Sequence, residues 1–296
     1  MAWRSCGTTN SELVENMKRN GLINNNETYE AMMKVDRAHF APSSAYKDAP
    51  QTIGYGATIS APHMHSHACE EIIEYLKPGA SILDVGSGSG YLVAVMAHMV
   101  QPGGRIVGIE HIQELVDLSL ANLRKDPQHS AWLDDGTITI IKGDGRLGYA
   151  AKAPYNAIHV GAAAREVHKD LVEQLATPGR LFIPVESHGG YGDQSIWHVD
   201  KDKDGNVRKE QKSGGQIHWQ TAQPKYVTLC NTTTRPASPR PPQQITRFSP
   251  FTRKKTETKT KNTTDGFVHT VLWKISLSLT RPSHASLSLN SESTLV

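Results

Sequence analysis

The chain has 296 residues, 38% apolar and 21% charged, with a formal net charge of +3; that length holds one domain of about 200 residues with an extension, or two small domains. Three widely spaced cysteines, Cys6, Cys69 and Cys230, form neither a disulfide framework nor a zinc pattern, and the first residues lack the apolar core of a signal peptide. No apolar run approaches the roughly 20 residues of a membrane span, so the expectation is a soluble protein in a reducing, cytosolic setting, with no metal and no membrane partner.

Residues 10–19 read as an amphipathic helix with a polar start and a basic end, stopped by Asn20-Gly21. A second helix is expected over 26–35. A proline- and tyrosine-bearing stretch follows, then a loop from Ala57 through Thr58, Ile59, Ser60, Ala61, Pro62 and His63 to His65, and a helix over 66–76. These first 80 residues are expected to form a helical cap. Strands and helices then alternate, which argues for a doubly wound, mostly parallel sheet of the α/β class covered on both faces. The strands are placed at 81–85, 105–109, 137–142, 156–160, 180–185 and 195–199. The helices between them are placed at 90–100, 112–124 and 165–175. Asp202 to Asn206 reads as a hairpin turn whose returning strand starts at Val207 and then dissolves into a polar, glycine-bearing run.

The run Ile82-Leu83-Asp84-Val85-Gly86-Ser87-Gly88-Ser89-Gly90-Tyr91 is an apolar strand, a glycine turn and the start of a helix. The glycines remove Cβ atoms where a bulky nucleoside cofactor approaches bare backbone. Glu110 ends the next strand twenty residues after Gly90, where a doubly wound sheet places the acid that accepts from ribose hydroxyls. The spacing Gly86-x-Gly88-x-Gly90 misfits the dinucleotide fingerprint, and Asp84 would repel a pyrophosphate while attracting a sulfonium or ammonium. The cofactor reading is therefore S-adenosylmethionine. Asp84 to Gly90 would hold its methionine end, and Glu110 with His111 its ribose and adenine edge. Asp144 could accept from the adenine amino group while Gly145 admits the ring, although Asp-Gly is also a common turn. His159 reads as a packed, hydrogen-bonded core histidine rather than a catalytic one.

The Ser60 loop offers a hydroxyl between the cap and the sheet; on spacing alone it is a local helix-capping loop, and no Gly-x-Ser-x-Gly elbow supports a hydrolase. From Asn231 to Val296 there are ten Lys and Arg against three Asp and Glu, so the basic balance belongs to a Ser/Thr/Pro-rich tail that is expected to be disordered. Its run Arg253-Lys254-Lys255 could meet nucleic acid or an anionic surface, although a solvated segment is the plainer reading. The stretch 267–279 is apolar enough for a short strand.

Four segments together resemble the protein-L-isoaspartate (D-aspartate) O-methyltransferase family: Thr58-Ile59-Ser60-Ala61-Pro62-His63-Met64-His65, Leu83 to Tyr91, Gly143-Asp144-Gly145-Arg146, and Tyr155-Asn156-Ala157-Ile158-His159-Val160-Gly161-Ala162-Ala163. The likeness runs from the first residues to about Asn206. It implies the class I S-adenosylmethionine-dependent methyltransferase fold, with a cap at 1–80, a cofactor domain at 81–208 and an atypical tail at 209–296. It implies a cytosolic, monomeric repair enzyme that methylates the α-carboxylate of L-isoaspartyl and D-aspartyl residues in damaged proteins, with nucleic acid not a substrate. It implies Ser60 as the active-site hydroxyl, and cofactor contacts from Ala57, Thr58, Ile59, Ser60, His65, Asp84, Gly86, Ser87, Gly88, Gly90, Glu110, His111, Asp144 and Gly145. Departures from the family pattern are Glu186-Ser187 in place of Gly-Pro, Arg165 in place of proline, and the lack of a Met-Gly-Val-x-Tyr-Val-Pro-Leu-Thr strand after Arg208. That last departure implies an exposed sheet edge. It leaves open an inactive isoform acting through its basic tail, or a methyltransferase for another substrate.

Overall fold

The computed structural model of the chain describes residues 5–186 and 194–212. The chain divides into the units Met1–Arg235 and Pro236–Val296, and every described residue lies in the first. The expectations for the first four residues, for the basic run at Arg253, for the stretch 267–279 and for tail disorder lie outside the described residues.

Helix α1, Asn10–Arg19, has the bounds its pattern predicts. Thr9 caps it by accepting from the Glu12 amide, and the Glu12 carboxylate accepts in return from Thr8, so orphan donors of the first turn are satisfied from both sides. At the other end Gly21 adopts a φ of +70° while Leu22 donates to Met17 and Gly21 to Lys18, closing the helix in a Schellman arrangement. Leu13, Val14 and Met17 on one face are buried. Helix α2, Asn26–Lys34, follows. The stretch expected only as a loop contains a hairpin, β1 at Gln51–Gly54 and β2 at Ala57–Ile59. Its turn takes three successive positive φ values at Gly54, Tyr55 and Gly56, a path that glycine adopts freely and tyrosine does not. Helix α3 starts earlier than expected, at Pro62, and ends at Glu71. Proline suits its first position because the missing N–H had no partner there anyway.

The main sheet has seven strands in the order β5-β4-β3-β6-β7-β8-β9. β3 at Ser81–Val85, β4 at Arg105–Glu110, β5 at Ile138–Lys142 and β6 at Tyr155–Val160 are parallel and fall within a residue of their expected bounds. Their buried positions are the apolar runs that named them, as a sheet covered on both faces requires. Helix α4 at Tyr91–Met99 is buried nearly all round, and α5 at Gln113–Leu123 follows β4. Between β3 and β7, three elements differ from expectation. An extra helix, α6, spans Pro127–Asp134, with Asp126 capping the Gln128 and His129 amides. Helix α7 covers only Lys169–Glu173 because Ala164 bridges to Val185 and draws the preceding chain along the sheet. Strand β7 runs Leu175–Glu186, through Thr177-Pro178-Gly179 rather than starting after them.

Strand β8, Gln194–Lys201, returns antiparallel to β7. The Asp202 turn then leads into β9, Val207–Gln211, which pairs with β8 from Lys201↔Val207 to Trp197↔Gln211. The expectation that this strand dissolves is therefore corrected: β9 continues past Arg208 to Gln211, and Lys212 still donates to the Ile196 carbonyl. Polar residues conceal this strand in the sequence because its outer edge faces solvent. Arg208, Lys209 and Glu210 on that edge discourage further pairing.

Residues of the first 80, such as Leu13, Met17, Met32 and Ile72, share one apolar core with Tyr91, Val95 and Met96 of α4. Cys69 is free and buried. No helix among the described residues is long and apolar enough to cross a membrane.

Candidate active site

The sheet reverses direction of growth at β3: β4 and β5 lie on one side, β6 and β7 on the other. Such a switch point opens a crevice beyond the strands' carboxyl ends. Asp84 and His159 are register partners there, on β3 and β6, and His159 Nδ1 lies 2.7 Å from Asp84 Oδ1 with both side chains buried. The His159 ring stacks on Phe182 at 5.5 Å and 20°. His159 is thus the packed, hydrogen-bonded histidine that the sequence suggests.

The loop after β3 is tied to β4, with Gly86 and Ser87 both donating to the Ile109 carbonyl. Gly86, Gly88 and Gly90 all take positive φ. At Gly90 a side chain is excluded twice over, by a φ of +84° and by Ser119 Oγ, 2.5 Å from where a Cβ would stand. This places α5 directly against the turn into α4.

Ser60 sits between β2 and α3, half-buried, and its hydroxyl has no hydrogen-bond partner among the described residues. Its carbonyl accepts from Arg37 Nη2 at 2.7 Å. Arg37 is wholly buried, its guanidinium 5.0 Å from the Tyr91 ring centroid. Burial brings its pKa down to about 10, and burial raises that of Tyr91 to about 12. His65, one turn into α3, is held well below the usual imidazole range by burial first and then by the Arg37 cation.

Thr58, Ile59, Ser60, His65, Asp84, Ser87 and Gly88 line one cleft. Ala57, Gly86 and Gly90 flank it without lining it. Glu110, His111, Asp144 and Gly145 occupy the same strand edge but stand outside the cleft.

Glu110 is buried, and its carboxylate accepts from the Gly88, His111 and Ile112 amides at 3.2, 2.8 and 3.2 Å. It therefore fastens the glycine loop to the end of β4. The His111 ring is largely exposed, with Nδ1 3.0 Å from the same carboxylate. Asp144 takes the turn-forming role: it accepts from the Arg146 amide and pairs with the Arg146 guanidinium at 2.6 Å. Those bonds, the side-chain one first, hold its pKa down to about 2. Gly145 has no room for a Cβ because the Val85 side chain occupies that space.

The residues present suit S-adenosylmethionine. Three glycines leave the backbone bare, Ser87 Oγ is buried without a partner, and Asp84 brings a carboxylate to the cleft. The sequence reading gave no site role to Arg37, Met64 and Leu92, of which the last two line the cleft. A buried arginine in the cap carries no local signal.

This topology, with its cleft at the switch point and an acid ending the second strand, defines a methyltransferase of the class I, S-adenosylmethionine-dependent type. The chain belongs to the protein-L-isoaspartate(D-aspartate) O-methyltransferase family, a family of protein repair methyltransferases, whose model matches residues 8–220. The match extends beyond the Arg208 limit read from the sequence. The protein-L-isoaspartate O-methyltransferase of Caenorhabditis elegans is 54% identical over 201 residues, covering 68% of this chain and 88% of that protein. That of Triticum aestivum is 48% identical over 200 residues, covering 67% and 85%. A Plasmodium falciparum chain solved in complex with S-adenosyl-L-homocysteine superposes with a TM-score of 0.64 at 32% identity, covering 73% of this chain and all of that one.

Proposed function

We propose that the cleft binds S-adenosylmethionine and that Ser60 orients the α-carboxylate of an L-isoaspartyl residue for methylation. The observation that carries this reading is the unpartnered Ser60 hydroxyl in the same cleft as the glycine loop. When bound, the cofactor supplies a methyl group on an electrophilic sulfonium. A carboxylate is already ionised at neutral pH, so no residue here has to act as a general base. The protein's task is positioning, which alone can contribute several kcal/mol. Ser60 would donate one hydrogen bond to the carboxylate; a cation in its place would bind more tightly but blunt the nucleophile. Asp84 and Ser87 would meet the cofactor's charged end, with Gly86, Gly88 and Gly90 shaping the loop. Ala57, Thr58, Ile59 and His65 would close the cap side. His111, Asp144 and Gly145 would border the adenine.

Radiolabelled methyl transfer tests this directly. An isoaspartyl peptide should be labelled and its aspartyl isomer not, with the label released by base as from an ester. Equal labelling of both isomers, or a base-stable product, overturns the reading.

Glu110 is proposed to accept from ribose hydroxyls through the acceptor capacity that its single bond on Oε2 leaves free. Glu110→Ala is expected to weaken S-adenosylmethionine binding by ~1–3 kcal/mol, the scale of a hydrogen bond to a charged group. Calorimetry showing unchanged affinity would remove Glu110 from the site.

Residues 1–80 would act as cap and substrate loop, and the chain from 81 through the end of β9 as cofactor domain. A monomer in the cytosol is the assembly and compartment that the family resemblance implies.

A further inference from the structure

Arg37 lies outside every motif that named the site, yet it touches three parts of it. Nη2 donates to the Ser60 carbonyl at 2.7 Å, Nη1 lies 3.3 Å from His65 Nδ1, and the guanidinium covers the Tyr91 ring. A guanidinium has donors only. His65 Nδ1 must therefore be the acceptor in that contact, since an N–H there would set two donors against each other. A neutral imidazole carries one proton, so it resides on Nε2. Nε2 has no hydrogen-bond partner among the described residues, and His65 lines the same cleft as Ser60.

We infer that Arg37 is a positioning residue: it locks His65 as the Nε2–H tautomer, so that a neutral ring offers the cleft a fixed hydrogen-bond donor beside Ser60. The inference rests on the proposed site and adds to it a donor whose state does not change across the neutral range. The group it suits is a carboxylate oxygen, which the cofactor's amino-acid end and the substrate's α-carboxyl group both carry. The groups around His65 agree with a neutral ring. Arg37 faces it from the cap, Tyr91 lies at 5.0 Å from α4, and His63 and His159 stand nearby on α3 and β6. The nearest acids are already engaged, Asp84 with His159 and Asp48 with His63. Burial and the Arg37 cation both oppose a second proton on the ring.

Two measurements test the assignment. Long-range 1H–15N spectra of the full chain without ligand should show His65 with a protonated Nε2 and an unprotonated Nδ1 from about pH 6 to 8; the opposite tautomer, or an imidazolium, overturns the inference. In Arg37→Gln the ring is released to titrate nearer the ordinary imidazole value. The affinity for S-adenosyl-L-homocysteine or the KM for isoaspartyl peptide should then acquire an acid-side inflection absent from the unmodified protein, with a slope of up to about tenfold per pH unit. The double variant Arg37→Gln/His65→Gln should lose that inflection, because the glutamine amide keeps a donor that cannot titrate. Which parameter carries the inflection tells whether His65 serves the cofactor's carboxylate or the substrate's. An Arg37→Gln profile parallel to that of the unmodified protein reduces Arg37 to packing. Should Arg37→Gln fail to fold, the tautomer spectra decide alone. Failure of the proposed site shows differently, as undiminished methyl transfer in Ser60 and His65 variants whatever the tautomer.

Discussion

Ser60→Ala is expected to lower turnover on an isoaspartyl peptide by about a hundredfold while affinity for S-adenosyl-L-homocysteine changes less than about twofold. The size follows from the loss of one orienting hydrogen bond in a reaction that depends on alignment, where a misplacement of about 1 Å costs on the order of 10²-fold. The separation of the two effects follows from the local structure. The Ser60 hydroxyl has no protein partner among the described residues, so its removal leaves nothing unsatisfied. The backbone stays in place because Arg37 holds the Ser60 carbonyl and Ile59 pairs with Gln51 across the hairpin. Thermal stability should change little, as for most substitutions that neither open a cavity nor strand a polar group. Single-turnover rates and calorimetry on the same preparation check both halves. An unchanged rate removes Ser60 from the chemistry, and a matched loss of cofactor affinity assigns it to cofactor binding instead.

The parts of this site that the sequence exposes are those where one short segment does two things at once. Ile82, Leu83 and Val85 are apolar because β3 is buried on both faces, and the glycines follow because the next turn needs positive φ; fold and cleft are legible in ten consecutive residues. Glu110 is legible for the same reason, at the end of a strand whose Ile106, Val107 and Ile109 are buried and apolar. What the sequence conceals depends on distant partners or on solvent. Arg37 reads as one more surface charge because the groups that accept it, Ser60 and His65, come more than twenty residues later. Strand β9 shows no alternation because it lies at an edge held by backbone bonds. Helix α7 is cut short by a bridge between Ala164 and Val185, which no local periodicity encodes. Helix α6 had a readable signal in Asp126-Pro127, a capping acid followed by proline at the first helical position, outweighed by the weak apolar pattern after it. Asp144 illustrates a different limit: its turn role is visible in the structure, and the same side chain can still border a bound adenine.

Asp84 joins fold and function most tightly, and two substitutions separate its roles. Asp84→Ala is expected to destabilise the protein by about 1–3 kcal/mol, the cost of leaving a buried polar group without its hydrogen-bond partner, because His159 Nδ1 would lose its 2.7 Å contact in a closed setting against Phe182. Asp84→Asn keeps the shape and an oxygen that can still accept from His159, so equilibrium unfolding should show it recovering most of that loss. The amide cannot recover the negative charge. S-adenosylmethionine carries one more positive charge than S-adenosyl-L-homocysteine, at the sulfonium. If Asp84 attracts that charge across the cleft, Asp84→Asn should lose about tenfold more affinity for the first than for the second, ~1.4 kcal/mol and within the range of a single charge interaction at partly buried protein sites. Calorimetric titration of both compounds into Asp84→Asn and the unmodified protein reads this difference without turnover. Equal losses for the two would mean that the carboxylate is spent on His159, and that selectivity for the charged cofactor arises elsewhere in the loop.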